Sequence, residues 1–148
     1  MCIVYQMSFL LKVKKLFSDS IIPTRQTEDS AGYDLSSHGN YTILPNSHKL
    51  IHTGISVTVP PGTYGQIASR SGMSCKGTIV GAGVIDRDYM GHVKVLMHNL
   101  NTDNTVEISH GDRIAQLILK KIETPHVEVV DELETTERGE SGFGSTGV

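Results

Sequence analysis

Two aspartates, 86 and 88, stand in the stretch "GAGVIDRDYMG" (81–91), directly after three apolar or bare positions and before Tyr89. A carboxylate fixed there can act as a general base toward water. Gly81 and Gly83 lack side chains that would keep a flat ligand off the main chain, so exposed N–H and C=O groups can pair with its edge. The same composition also describes an ordinary hairpin turn between two apolar strands. In "ASRSGMSCKG" (68–77), Arg70, Ser71 and Gly72 combine a guanidinium, a hydroxyl and backbone N–H groups at the start of a short helical turn, a set suited to phosphate oxygens. An N-cap serine beside a surface arginine reads the same way.

Three further stretches are unusual for plain strands. "SAGYDLSS" (30–37) carries Asp34 next to Gly-Tyr, and "GDRIAQLIL" (111–119) sets Gln116 between apolar neighbours. Gln116 is either a hydrogen-bonding residue inside a core strand or a ligand contact. The end of the chain, "RGESGFGSTG" (138–147), holds Arg138, Phe143, Gly144, Ser145 and Thr146. It reads either as a disordered terminus or as a lid, in which an arginine pairs with phosphate and an aromatic stacks on a base.

The elements that must position these residues are almost all of period two. "ISVTVP" alternates Ile55, Val57 and Val59 with polar residues, "HVKVLMHN" alternates Val93, Val95 and Met97, and "LKVKKLF" sets Leu11, Val13 and Lys15 on one side. Turn signals interrupt them at Pro45, Pro60–Gly65, Asn101–Asn104 and Ser109–Asp112. Many short strands with regular turns predict a sandwich or barrel. Helical potential is confined to one or two turns between Ser71 and Lys76. The division that follows is an extension over 1–10, a β domain over 11–133 and a Gly-rich tail over 134–148.

A chain of 148 residues, 38% hydrophobic, supports one core. Thirteen basic against 16 acidic residues give a net charge of −3, which argues against a general nucleic-acid binder, so phosphate recognition has to be local. Only Cys2 and Cys75 are present, without metal-ligand spacing, which predicts a reducing intracellular setting, cytoplasmic or nuclear. Apolar runs fall short of a membrane span. The seven histidines show no zinc-motif spacing and are read as surface or packing residues.

Taken together and in this order, "AGYDL", "RSGMSCKG", "GVIDRDYMG", "GDRIAQLI" and "RGESGFGSTG" resemble the five motifs of the homotrimeric deoxyuridine triphosphatases (dUTPases), over about Leu11 to Gly147. The resemblance implies an all-β, distorted jelly-roll-like barrel with one short helix, assembled as a homotrimer with active sites at the interfaces. It implies hydrolysis of dUTP to dUMP and pyrophosphate with Mg²⁺, which limits uracil in DNA and supplies dUMP for dTTP synthesis. Asp86 then resembles the general base, and Tyr89 the residue that packs on deoxyribose and excludes a 2′-hydroxyl. Backbone groups of Gly83, Val84, Ile85 and onward to Tyr89 would read uracil. Arg70, Ser71, Gly72 and Gln116 resemble the phosphate contacts, and Asp34 a residue acting near the metal through water, the ion otherwise resting on the triphosphate. On the tail, Arg138 would clamp the γ-phosphate, Phe143 would stack on uracil, and Gly144, Ser145 and Thr146 would donate to terminal oxygens. Two alternatives share parts of this pattern: a dCTP deaminase-like enzyme and a non-catalytic nucleotide- or partner-binding module.

Overall fold

A computed structural model describes residues 9–144. Ser145, Thr146 and most of the N-terminal extension lie outside the described residues. The elements run β1 (Lys12–Lys15), β2 (Tyr33–Ser36), β3 (Tyr41–Ile43), β4 (Ser47–His52), β5 (Ile55–Thr58), β6 (Thr63–Ala68), α1 (Ser71–Cys75), β7 (Thr78–Gly81), β8 (Val84–Ile85), β9 (Lys94–Asn99), β10 (Val106–Ile108) and β11 (Arg113–Lys121). The fold is all-β with one short helix, as expected.

Every named pairing is antiparallel. One sheet has the order β2-β11-β6-β8, a second β4-β9-β7, and two pairs, β1-β5 and β10-β3, complete the wrapping. The alternating residues do what period two requires: Ile55, Val57 and Val59 are buried, as are Val93, Val95 and Met97. All but Val59 join Leu35, Ile51, Ile67, Ile114 and Leu117 in a single core, each such side chain contributing about 1.5–3 kcal/mol when fully removed from water. On β1 the alternation is weaker, because this edge strand pairs only with β5; Leu11 and Val13 are half-buried and Lys15 is exposed.

The stretch 83–91 departs from a simple hairpin turn. Strands β7 and β9 do pair, Thr78 opposite Asn99 and Gly81 opposite Leu96. Their connection, 82–93, however, leaves that sheet and lends β8 to the other one, where Gly65 pairs with Ile85 and Gln66 with Val84. Buried Ile85 is the anchor. A loop that lay on the surface would have no such tether; this one bridges both layers of the domain.

Regular structure ends at Lys121. Residues 123–144 form no strand or helix, bend at 131–132 and 137–138, turn at 139–140 and 143–144, and are almost all exposed, with Val127 and Val129 each 95% exposed and Phe143 fully so. Among the described residues, the hydrogen bonds of 123–144 stay within the segment itself, such as Arg138 Nε donating to the Ser141 carbonyl at 2.8 Å.

Candidate active site

Asp34, Arg70, Arg113 and Gln116 converge at the ends of β2, β6 and β11. Cross-strand register places Gln116 opposite Asp34 on one side and opposite Ala68 on the other. The spacing of Arg113 and Gln116 should put them on opposite faces of β11, since three is odd. A bulge between Arg113 and Ala115 absorbs one residue, so that Ile114 and Ala115 are both buried and Arg113 joins Gln116 and Asp34 on the outer face. Bulges of this kind re-aim side chains.

The carboxylate of Asp34, only 12% exposed, then receives two guanidinium groups: Arg70 Nε lies 3.1 Å from Oδ1 and Arg113 Nη1 3.3 Å from Oδ2. Arg70 is held a second time by donation from Nη1 to the Arg113 carbonyl at 2.7 Å. Gln116 Nε2 donates to the Ser69 carbonyl at 2.9 Å, and the side chain lies so close over Gly32 that a Cβ there would collide with its Oε1. Gly32 is thus the floor on which Gln116 rests. Arg70 occupies the N-cap of α1 with extended backbone and no side-chain cap bond, so Ser71 is the first helical residue and does not cap.

In front of this cluster lies a recess of about 290 Å³ lined by Arg70, Ser71, Gly72, Met73, Lys76 and Gln116. Gly72 faces open space: a Cβ placed on it would meet nothing within 4 Å. Two cations line the recess and Arg113 stands behind it, against one carboxylate. The local charge is therefore positive on a chain that is negative overall, which suits an anion. A larger groove of about 610 Å³ continues from Arg70 and Lys76 along Asn101, Glu107 and Arg113.

A second recess, about 360 Å³, lies on the connection between β7 and β9. Gly81, Ala82, Gly83, Ile85, Asp86 and Tyr89 line it, together with Leu50, Ile67 and His92. Ala82 (φ 53°) and Gly83 (φ 103°) both take left-handed backbone, which swings the chain out of β7. At Gly83 a Cβ would meet the Ile67 carbonyl oxygen at 2.5 Å, and that close approach lets Ile67 N–H donate to the Gly83 carbonyl at 2.7 Å. Asp86 is exposed and opens a turn closed by Tyr89 N–H on its carbonyl at 3.1 Å. The Tyr89 ring folds back over Gly91, where a Cβ would lie 2.5 Å from its hydroxyl, and that hydroxyl donates to the His92 carbonyl at 3.0 Å. His92 Nε2 in turn accepts from Gly54 N–H at 2.8 Å. Burial, then the nearby His52 and Lys94, hold the His92 imidazole below the ordinary histidine range, so it stays neutral.

The structure therefore brings Asp34, Arg70, Ser71, Gly72 and Gln116 together, and separately groups Gly83, Val84, Ile85, Asp86 and Tyr89. The two recesses share no lining residue. Arg138, Phe143 and Gly144 reach neither. Sequence reasoning missed Arg113 and Lys76. The adjacent apolar pair Ile114-Ala115 before Gln116 was a readable sign of the bulge, whereas Lys76 carried no signal beyond its charge.

Among known proteins, a family model described as dUTPase matches residues 18–147. The chain is 54% identical over 138 residues to the deoxyuridine 5′-triphosphate nucleotidohydrolase of Arabidopsis thaliana, covering 93% of this chain and 82% of that protein. Its fold is similar to that of a Staphylococcus bacteriophage 80alpha dUTPase mutant solved with dUpNHpp, with a TM-score of 0.89, 31% identity and coverage of 95% and 100%. It is also similar to a phage phi11 dUTPase mutant described with a structural Mg(II) ion, with a TM-score of 0.80, 28% identity and coverage of 85% and 99%. With the family model spanning nearly the whole chain and the glycine-lined recess, paired arginines and core strands in place, this protein belongs to the dUTPase family.

Proposed function

We propose that the chain cleaves dUTP with water to dUMP and pyrophosphate. The observation that carries this reading is the glycine-lined recess with Asp86 and Tyr89 at its mouth, in a chain of the dUTPase family. Uracil enters against the bare backbone of Gly81–Gly83, whose N–H and C=O groups, with those of Val84 and Ile85, read its edge. Tyr89, tied back to His92, packs on the deoxyribose and leaves no room for a 2′-hydroxyl. Asp86 takes a proton from the attacking water as its oxygen bonds to the α-phosphorus, and the bond to the bridging oxygen of the leaving pyrophosphate breaks. Positioned general bases contribute roughly 10²–10⁴-fold. Arg70, Ser71, Gly72, Lys76 and Gln116 receive the phosphates.

The separation of the two recesses supports a homotrimer in which the uracil recess of one chain faces the phosphate recess of a neighbour, with a tail laid across both. Arg138 then meets the γ-phosphate and Phe143 the base, with Gly144, Ser145 and Thr146 donating to the terminal oxygens. A magnesium ion fits this donor set only as a passenger on the triphosphate: both Asp34 oxygens already face guanidinium groups, so Asp34 reaches such an ion through water and not directly. When bound, the ion neutralises charge on the phosphates. An exposed, unpaired Cys75 thiol suits a reducing cytoplasmic or nuclear compartment, where the reaction keeps uracil out of DNA and supplies dUMP for dTTP synthesis.

The test is pyrophosphate release from dUTP, dCTP, dTTP and UTP, with and without EDTA. Release from dUTP alone, abolished by EDTA, is expected. Deoxyuridine nucleotide formed from dCTP would reassign the protein as a deaminase, and no turnover of any nucleotide would leave a binding module.

A further inference from the structure

Three segments far apart in sequence meet on the face carried by the ends of β2 and β11. Ser37 N–H donates to the Asp112 carbonyl and Gly111 N–H to the Ser37 carbonyl, both at 2.8 Å, which locks the loop after β2 to the turn before β11. His110 is fixed further by donation from its own N–H to Asn40 Oδ1 at 2.8 Å. His38 is held flat against Phe17, ring centroids 4.3 Å apart and nearly parallel. The third segment is pinned by buried Ser20, whose hydroxyl donates to the Gly54 carbonyl at 2.6 Å. That pin presents Asp19 to both imidazoles: His38 Nε2 lies 3.0 Å from Oδ1, and His110 Nε2 3.8 Å from Oδ2.

We propose that Asp19, His38 and His110 form a binding site for a divalent transition ion of the zinc type, distinct from both nucleotide recesses. One ligand atom from each residue lies within 4.8 Å of the others, and a small side-chain adjustment that brings them within about 4.4 Å, twice the longest ligand distance, lets one ion at about 2.0–2.2 Å bind all three. Two imidazoles with one carboxylate favour Zn²⁺ over Mg²⁺, which seeks oxygen ligands in an octahedron. The fourth position is open to water, since Asp19 is 63% and His110 39% exposed. Proton placement balances. Gly39 N–H donates to His110 Nδ1 at 3.1 Å, so the neutral ring carries its proton on Nε2. Binding at Nε2 of both rings sends the two Nε2 protons that face Asp19 to solvent and returns one to each Nδ1; at His110 the protonated Nδ1 gives up the bond from Gly39 N–H, so the 39–40 loop has to shift. The ion would tie β1's exit to the β2 and β11 ends, on the same two strands that carry Asp34 and Arg113.

The experiment is calorimetric titration of the metal-free full chain with Zn²⁺, without nucleotide and with excess Mg²⁺ present. Saturable binding of one ion per chain is expected, weakened at least about tenfold by His38→Gln or His110→Gln. A variant carrying His48→Gln and His98→Gln, another close histidine pair with ring centroids 5.2 Å apart, should bind as the wild type does. X-ray absorption at the zinc edge of the wild-type complex should show two imidazole nitrogens and oxygen, a readout independent of whether any variant folds. No saturable binding, binding that survives both single substitutions, binding lost with His48 and His98, or a sulfur ligand would each overturn the proposal.

Discussion

Asp34→Asn separates two roles that a carboxylate at this position can play. The side chain sits between two guanidinium groups, at 3.1 Å from Arg70 and 3.3 Å from Arg113. Asparagine has the same shape but one acceptor, so whichever way its amide turns, its NH₂ faces an arginine. One charge-assisted bond is lost outright, a change typically worth about 1.5–3 kcal/mol. Arg70 and Arg113 are 28% and 47% exposed, and water screens the pair, which lowers the expectation to about 1–2 kcal/mol. Arg70 keeps its bond to the Arg113 carbonyl, so it is loosened and not released. The affinity for a non-hydrolysable triphosphate should therefore fall by about 5–30-fold. Binding of dUMP, which on the proposed reading sits mainly in the other recess, should move by less than about twofold. Titration calorimetry with both ligands at fixed Mg²⁺ measures this, and repeating it at raised Mg²⁺ isolates the metal. Unchanged triphosphate affinity, an equal loss for dUMP, or recovery at high Mg²⁺ would refute positioning of Arg70 as the main role of Asp34.

Gly83→Ala should cost about 1–3 kcal/mol from its left-handed backbone alone, more with the close Ile67 carbonyl, and should weaken binding of every uracil nucleotide; unchanged stability in urea unfolding would contradict the described slot. His92 is held neutral in the fold, so the unfolded chain takes up its proton first: its contribution is intact above about pH 6.5 and lost as pH falls below that. Unfolding curves over that range should slope less for His92→Gln than for the wild type, and equal slopes would remove His92 as a source. Deleting residues 137–148 should cut dUTP turnover at least about tenfold, through loss of the proposed Arg138–phosphate contact, and change stability by less than about 0.5 kcal/mol, because the described tail bonds only within itself and to neighbouring Thr136; a large loss of stability would make it structural instead. Mixing inactive Asp86→Asn chains with inactive Arg70→Gln chains under conditions that exchange subunits should restore about a quarter of the sites if each site draws on two chains, and none if each chain is complete.

Where one residue's neighbours in sequence decide its environment, the sequence was readable. Ile55, Val57, Val93, Val95 and Met97 alternate with polar residues because one face of each strand meets the core, and all five are buried. Ser71–Cys75 is helical where the one non-alternating polar stretch suggested a turn or two. Arg113 was hidden for the opposite reason. Strict alternation sends it away from Gln116; the bulge opposite β2 brings it back, and the adjacent apolar pair Ile114-Ala115 was its one trace in the sequence. The 83–91 stretch failed similarly: its composition describes a turn, but Ile85 is claimed by β6 in the opposite sheet, a pairing no local pattern encodes.

The same logic explains why five motifs taken together said more than any of them singly. Asp34, Arg70 and Gln116 lie on or beside three strands whose adjacency is a property of the sheet order β2-β11-β6, and Asp86 hangs from β8 at that sheet's edge. Asp19, His38 and His110 are assembled by the exit of β1, the loop after β2 and the turn before β11, yet their spacing matches no linear metal pattern, so they read as scattered histidines and an exposed aspartate. A β fold converts sequence separation into cross-strand contact, and chemistry built across a ladder becomes visible only once the register is known. For the cationic cluster, the register supplies the reason that Arg70 lines its recess: Asp34 and the Arg113 carbonyl hold the guanidinium from two directions, so an anion bound there as proposed would not have to meet the cost of ordering it.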